Sequence, residues 1–164
     1  MRKKSTTAAE LIAQLDKDPE YQVRRAKQDA ASAKKAAICA ADEKELVEGI
    51  RKVGYDIDSV YDLVNNDPHP FLVRRFLGPY PRAYPILVMH LRIEHHPAIR
   101  EGVIRALTIR DGGELVENAL LEEFDRETGQ HLRWVLANAL KTAMPYSRRR
   151  RRPDIAAAFR GAGA

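Results

Sequence analysis

The chain has 164 residues, with 28 Lys/Arg against 23 Asp/Glu, a formal net charge of +5, and hydrophobic and charged fractions of 45% and 31%. That length buries a core without a disulfide or metal staple, and the single cysteine, Cys39, excludes an intrachain disulfide and a four-cysteine zinc site. There is no apolar run of the roughly 18 residues a transmembrane helix needs, and no apolar stretch follows the basic start Met1-Arg2-Lys3-Lys4, so a cytoplasmic location is expected.

Thr7-Ala8-Ala9-Glu10 has the form of a capping box and predicts a short helix to about Leu15. Asp18-Pro19-Glu20 is a second start signal, with Asp at the cap and Pro at the first helical position. Neither Pro nor Gly then interrupts the chain until Gly49. The stretch 19–53 therefore predicts a long helix, about 50 Å if continuous. Its first half is rich in alanine, which gives strong helix propensity and little apolar area. Leu46, Val47, Ile50 and Val53 restore a packing stripe, and Gly54 is placed to stop the helix.

A turn and short helix capped by Asp58 or Ser59 follow, with Val60, Leu63 and Val64 facing inward. The segment 65–70 carries loop chemistry and 71–77 is a short apolar piece. From Pro81 the pattern becomes regular, predicting helices over 81–93, 97–109, 113–127 and 129–144 joined by connections of a few residues. No segment alternates as a strand does, so the fold class is all-α. Ile155, Ala156, Ala157 and Phe159, after Pro153-Asp154, predict a last short helix that caps the core. Three regions result: a helical N-terminal region 1–54, a repeat domain 55–146 and an Arg-rich tail 147–164.

Charge follows the same division. Residues 1–54 carry 12 Lys/Arg against 9 Asp/Glu, residues 55–146 carry 10 against 13, and residues 147–164 carry 6 against 1. The basic character belongs to the ends. A domain that grips nucleic acid places its basic residues on a face of the fold, and the mildly acidic centre argues against that.

An internal repeat appears at an offset of 33. Ile99-Arg100-x-x-Val103-x-x-Ala106-Leu107 recurs as Leu132-Arg133-x-x-Leu136-x-x-Ala139-Leu140, while Ile86, Leu87, Val88 and Leu91 fall on Ala119, Leu120, Leu121 and Phe124. Stacked helical pairs of like pattern are the signature of an α-solenoid. The two copies resemble HEAT repeats. With Val60-Tyr61-Asp62-Leu63-Val64-Asn65 and Tyr80-Pro81-Arg82-Ala83-Tyr84-Pro85-Ile86-Leu87, the chain is similar to small bacterial HEAT-like proteins over about residues 10–145. The segment 66–78 is extra sequence before the first repeat. The resemblance implies a short α-solenoid of helical hairpins behind a long Ala-rich helix. HEAT scaffolds serve many roles, so it names no activity.

On such a solenoid the second helices line the concave face. Glu101, Arg105, Trp134, Asn138 and Lys141 are the expected partner-binding residues there. Trp134, the only tryptophan, is either an interface anchor or packed on the terminal segment. Arg100 and Arg133 are expected to serve packing between repeats. The run Arg148, Arg149, Arg150, Arg151 and Arg152 reads as a phosphate- or acid-binding arm, or as a solvated linker. His90, Glu94, His95 and His96 cluster at one helix end without a metal-binding motif. Cys39 reads as a small packing residue. No Walker loop, nucleophile elbow or phosphate cradle occurs, and neither enzyme activity, metal nor cofactor is expected. The function expected is a protein–protein interaction scaffold, an adaptor or an inhibitor of the immunity-protein kind. A nucleic-acid-binding protein using the Arg run and the basic ends is the alternative. The partner is expected to be another protein, and the long N-terminal helix can pair with a second copy in a homodimer.

Overall fold

The computed structural model describes residues 7–64 and 78–160, and every regular element among them is helical. The segments predicted as a loop at 65–70 and an apolar piece at 71–77 lie outside the described residues. The chain divides into two compact units, Met1–Ile38 and Cys39–Ala164. None of the described helices is long and apolar enough to cross a membrane.

The first unit holds α1 (Ala8–Leu15) and most of α2 (Pro19–Asp42). The capping box forms as expected: Glu10 N–H donates to Thr7 Oγ1 at 3.3 Å, and Thr7 N–H donates to the Glu10 carboxylate at 2.9 Å. Asp18 accepts from Glu20 N–H at 2.9 Å at the start of α2. Neither α1 nor α2 has a buried residue.

The stretch 19–53 is two helices rather than one. Helical geometry lapses at Glu43, with φ −85° and ψ 1°, before α3 (Lys44–Lys52). The Glu43 carboxylate turns inward and accepts from Ser59 Oγ at 3.0 Å and Val60 N–H at 2.9 Å. This acid is 6% exposed, and it fixes the α2–α3 junction onto the 3₁₀ turn Val60–Leu63. Gly54 stops α3 with φ +94°, a conformation costly to any residue with a Cβ.

A 3₁₀ turn, Pro81–Ala83, leads into α4 (Tyr84–Leu91). Then come α5 (Pro97–Ala106), α6 (Gly113–Arg126) and α7 (Gln130–Ala143). These fall within a few residues of the helices expected. α4 packs on α5 and α6 on α7, while α4 also meets α6 and α5 meets α7. Positions related by 33 residues share the core: Leu87 and Leu120, Leu91 and Phe124, Val103 and Leu136, Ala106 and Ala139, Leu107 and Leu140 are all buried. Each large side chain among them contributes about 1.5–3 kcal/mol by leaving water. Gly102 lets the Val60–Leu63 turn approach α5, since a Cβ there would lie 2.6 Å from Val60 Cγ1. Tyr61 seals that contact by donating to Ala98 C=O at 2.7 Å.

Arginines tie the helix ends. Arg100 on α5 pairs with Glu123 at 3.0 Å and Glu127 at 3.2 Å. Arg133 on α7 donates to the carbonyls of Phe124 at 2.7 Å and Glu127 at 3.0 Å, and lies over the Phe124 ring. It thereby satisfies acceptors that the end of α6 leaves without an intrahelical partner. α8 (Tyr146–Arg149) and α9 (Pro153–Arg160) then bring the chain back onto α7, and Ile155 enters the core.

Candidate functional site

The five residues expected to bind a partner are spread over two environments. Glu101 and Arg105 are one turn apart on α5 and pair at 2.7 Å; His131 on α7 meets the other Glu101 oxygen at 2.9 Å. Burial pushes the Glu101 carboxyl up, but the hydrogen bonds from His131 and Arg105 outweigh it and hold it below the ordinary value. This network spends its charges on itself. Trp134 is half-buried, its ring stacked on Phe159 of α9 with centroids 6.2 Å apart and planes 12° from parallel. Lys141 places Nζ 4.3 Å over the other ring of that pair, Phe159. Asn138 is half-buried between them in sequence.

The Arg run is sorted residue by residue. Arg148 pairs with Glu117 of α6 at 3.1 Å, an acid that is itself buried. Arg152 pairs with Asp154 at 2.7 Å and also reaches Asp125. Arg149 donates to the Lys141 carbonyl and lies over the Tyr146 ring. Arg150 and Arg151 are exposed. Two cations of the run are thus neutralised by carboxylates: Arg148 ties α8 to α6, and Arg152 ties the start of α9 to α6.

What this clamp leaves is a groove of about 330 Å³ between α7, α8 and α9. Ala137, Ile155, Ala156 and Phe159 make its floor, and Lys141, Arg149, Arg150 and Arg160 stand around it with Tyr146 at one edge. The floor is apolar because Ile155 and Phe159 are one helical turn apart on α9, on the side turned to α7. None of the described lining residues is acidic.

No known protein-family model, curated protein or solved structure matches this chain. The site is therefore read from its own geometry.

A second polar cluster lies at the α4–α5 connection. Asp42 Oδ2 meets His95 Nδ1 at 2.9 Å and accepts from His96 N–H at 3.1 Å, and His95 Nε2 meets His90 Nδ1 at 3.1 Å. The rings of His90 and His95 stack with centroids 5.2 Å apart. Burial first, and the neighbouring His95 second, hold the His90 pKa below its ordinary value. His96 caps α5 by accepting from Ala98 N–H at 3.2 Å, and Cys39 Sγ lies 3.6 Å from the same Nδ1. Glu94 is exposed. Among the described residues no three His, Cys, Asp or Glu side chains are placed to hold a metal ion.

Of the five residues expected to bind a partner only Lys141 lines the groove, and of the Arg run Arg149 and Arg150 do; Tyr146 and Arg160 are not among the expected residues. The signal that locates them is the pair of prolines, Pro145 and Pro153, which start two short helices in succession and turn the chain back. The inward roles of Asp42, Glu43 and Glu117 carry no sequence signal at all.

Proposed function

We propose that this protein is a non-enzymatic protein-interaction scaffold, an adaptor or inhibitor built on HEAT-like repeats and acting in the cytoplasm. Support for the repeats comes from the 33-residue correspondence, whose paired positions are buried alike in α4–α5 and α6–α7. The observation that carries the interaction reading is the α7–α9 groove, which joins an apolar floor to a cationic rim on an open surface. Apolar centres with polar surrounds are the anatomy of protein interfaces.

A tagged pull-down from native cells tests this reading, with half the sample treated with nuclease. One near-stoichiometric protein that survives nuclease is the expected result. Loss of every partner with nuclease would refute it in favour of nucleic acid bound by the Arg run. Pairing of two copies through α2, none of whose residues is buried, is part of the same proposal. Sedimentation at rising concentration reads it, with a dimer expected.

A further inference from the structure

We infer that the α7–α9 groove takes an acidic peptide segment carrying one bulky apolar side chain; this rests on the protein-scaffold reading above and names its partner's chemistry. The arginines fall into two groups. Arg148 and Arg152 each meet a carboxylate, Glu117 for the first and Asp125 with Asp154 for the second. Their charge is already answered within the fold. Arg149 is held by a backbone carbonyl and the Tyr146 ring, and Lys141 by the Phe159 ring. Neither contact neutralises a cation. Arg150 and Arg160 complete the rim. Four positive charges therefore surround one opening, with no acid among its described lining residues, beside a mildly acidic repeat region. Such a potential selects a negatively charged occupant and raises its rate of encounter.

The floor narrows the class further. Ala137 and Ala156 are short and leave depth between the larger Ile155 and Phe159, which a fully charged ligand would not use. A sugar–phosphate backbone gains nothing from an apolar floor, whereas a Leu or Phe side chain entering it leaves water. Carboxylates on either side of that side chain then reach the guanidinium groups, which bind them in a planar, two-point geometry. The volume, about 330 Å³, suits one anchoring side chain and its immediate neighbours rather than a broad interface. Phe159 is shared between this floor and the Trp134 stack, so occupancy is reported by the chain's only tryptophan.

The probe is a capped, fluorescein-labelled peptide with a central Phe-Leu pair and three carboxylates on each side, titrated against the full chain. Fluorescence anisotropy and Trp134 emission are read together, the latter with unlabelled peptide. Saturable binding that falls with salt is expected, with a matching change in Trp134 emission. Two variants carry the test. R150E/R160E reverses two exposed rim charges, and A156F fills the floor without changing charge; circular dichroism melts establish that each folds. Each is expected to weaken binding about tenfold or more. Equal affinity in either variant would overturn the inference. So would equal binding of a peptide whose Phe-Leu pair is replaced by serines, or tighter binding of a 12-nucleotide single strand that R150E/R160E abolishes. A native partner retained by both variants in the pull-down would remove the groove assignment while leaving the scaffold reading standing.

Discussion

Replacing Arg148 with alanine should cost more stability than neutralising its partner, Glu117. The Glu117 carboxylate is 4% exposed and the Arg148 side chain 46% exposed, with Nε 3.1 Å from Oε1. At that distance, and an effective dielectric of about 20, the attraction is about 5 kcal/mol before screening. Half-exposure of the guanidinium screens much of it. In R148A the carboxylate stays buried without its counter-ion, a situation that costs about 3–5 kcal/mol when the pair is wholly buried. For this half-buried pair the expected loss is about 2–3 kcal/mol, or roughly 10 °C in Tm. In E117Q the arginine turns to water and the amide keeps a hydrogen-bonding oxygen, so the loss is about 1 kcal/mol. Urea unfolding of both variants and the double variant measures the difference and the coupling. An R148A loss below 0.5 kcal/mol, or a larger loss for E117Q, would refute the view that the Arg run is a structural clamp.

Gly102→Ala puts a Cβ 2.6 Å from Val60 Cγ1 and 3.1 Å from Tyr61 Cε2. Overpacking of this kind costs about 1–3 kcal/mol, partly offset by alanine's better helix propensity, and a urea midpoint equal to wild type would contradict the close approach. Stability should fall as pH drops below about 6.5, where an unfolded histidine takes up a proton, because folded His90 resists protonation through its burial and the facing His95, against the pull of Glu45 and Asp42. The unfolded state then binds more protons and is favoured until the pH also passes the lower folded value. Denaturant unfolding at pH 7, 6 and 5 reads that slope, and H90Q should flatten it; an unchanged slope would count against the buried pair. Phe159→Ala removes the ring stacked on Trp134, so tryptophan emission should move to the red, with a loss of about 0.5–1.5 kcal/mol for the stack on top of the ring's lost burial; emission identical to wild type would mean the stack does not form in solution.

Much of the architecture follows from local pattern. The Thr7 box, Pro97 opening α5 and the buried stripes of α4 to α7 are written in residues that are neighbours in sequence. Where the sequence reading fell short, the cause is a contact made across the fold. Glu43 lies in a stretch that no Pro or Gly interrupts, yet helical geometry lapses there, where its carboxylate is bound by Ser59 and Val60. Nothing near Glu117 in sequence shows that it is buried; Arg148, 31 residues later, returns to it. Composition marks five arginines as one basic run, but neutralisation of Arg148 by Glu117 and of Arg152 by Asp125 depends on α6 carboxylates that no spacing rule connects to them. The candidate groove was legible in part: Lys141 and the run were marked, while the opening itself exists only once α8 and α9 fold back on α7.

The docking of α9 on α7 also sets an order of events during synthesis. The ribosome releases α6 and α7 ahead of α8 and α9. Until the later segment follows, Glu117 has no counter-ion, the Trp134 ring has no cover, and the place that Ile155 fills in the core is vacant. The nascent α6–α7 pair therefore presents a half-finished, sticky surface for that interval, the kind of surface that holdase chaperones recognise and that nascent chains use to misassociate.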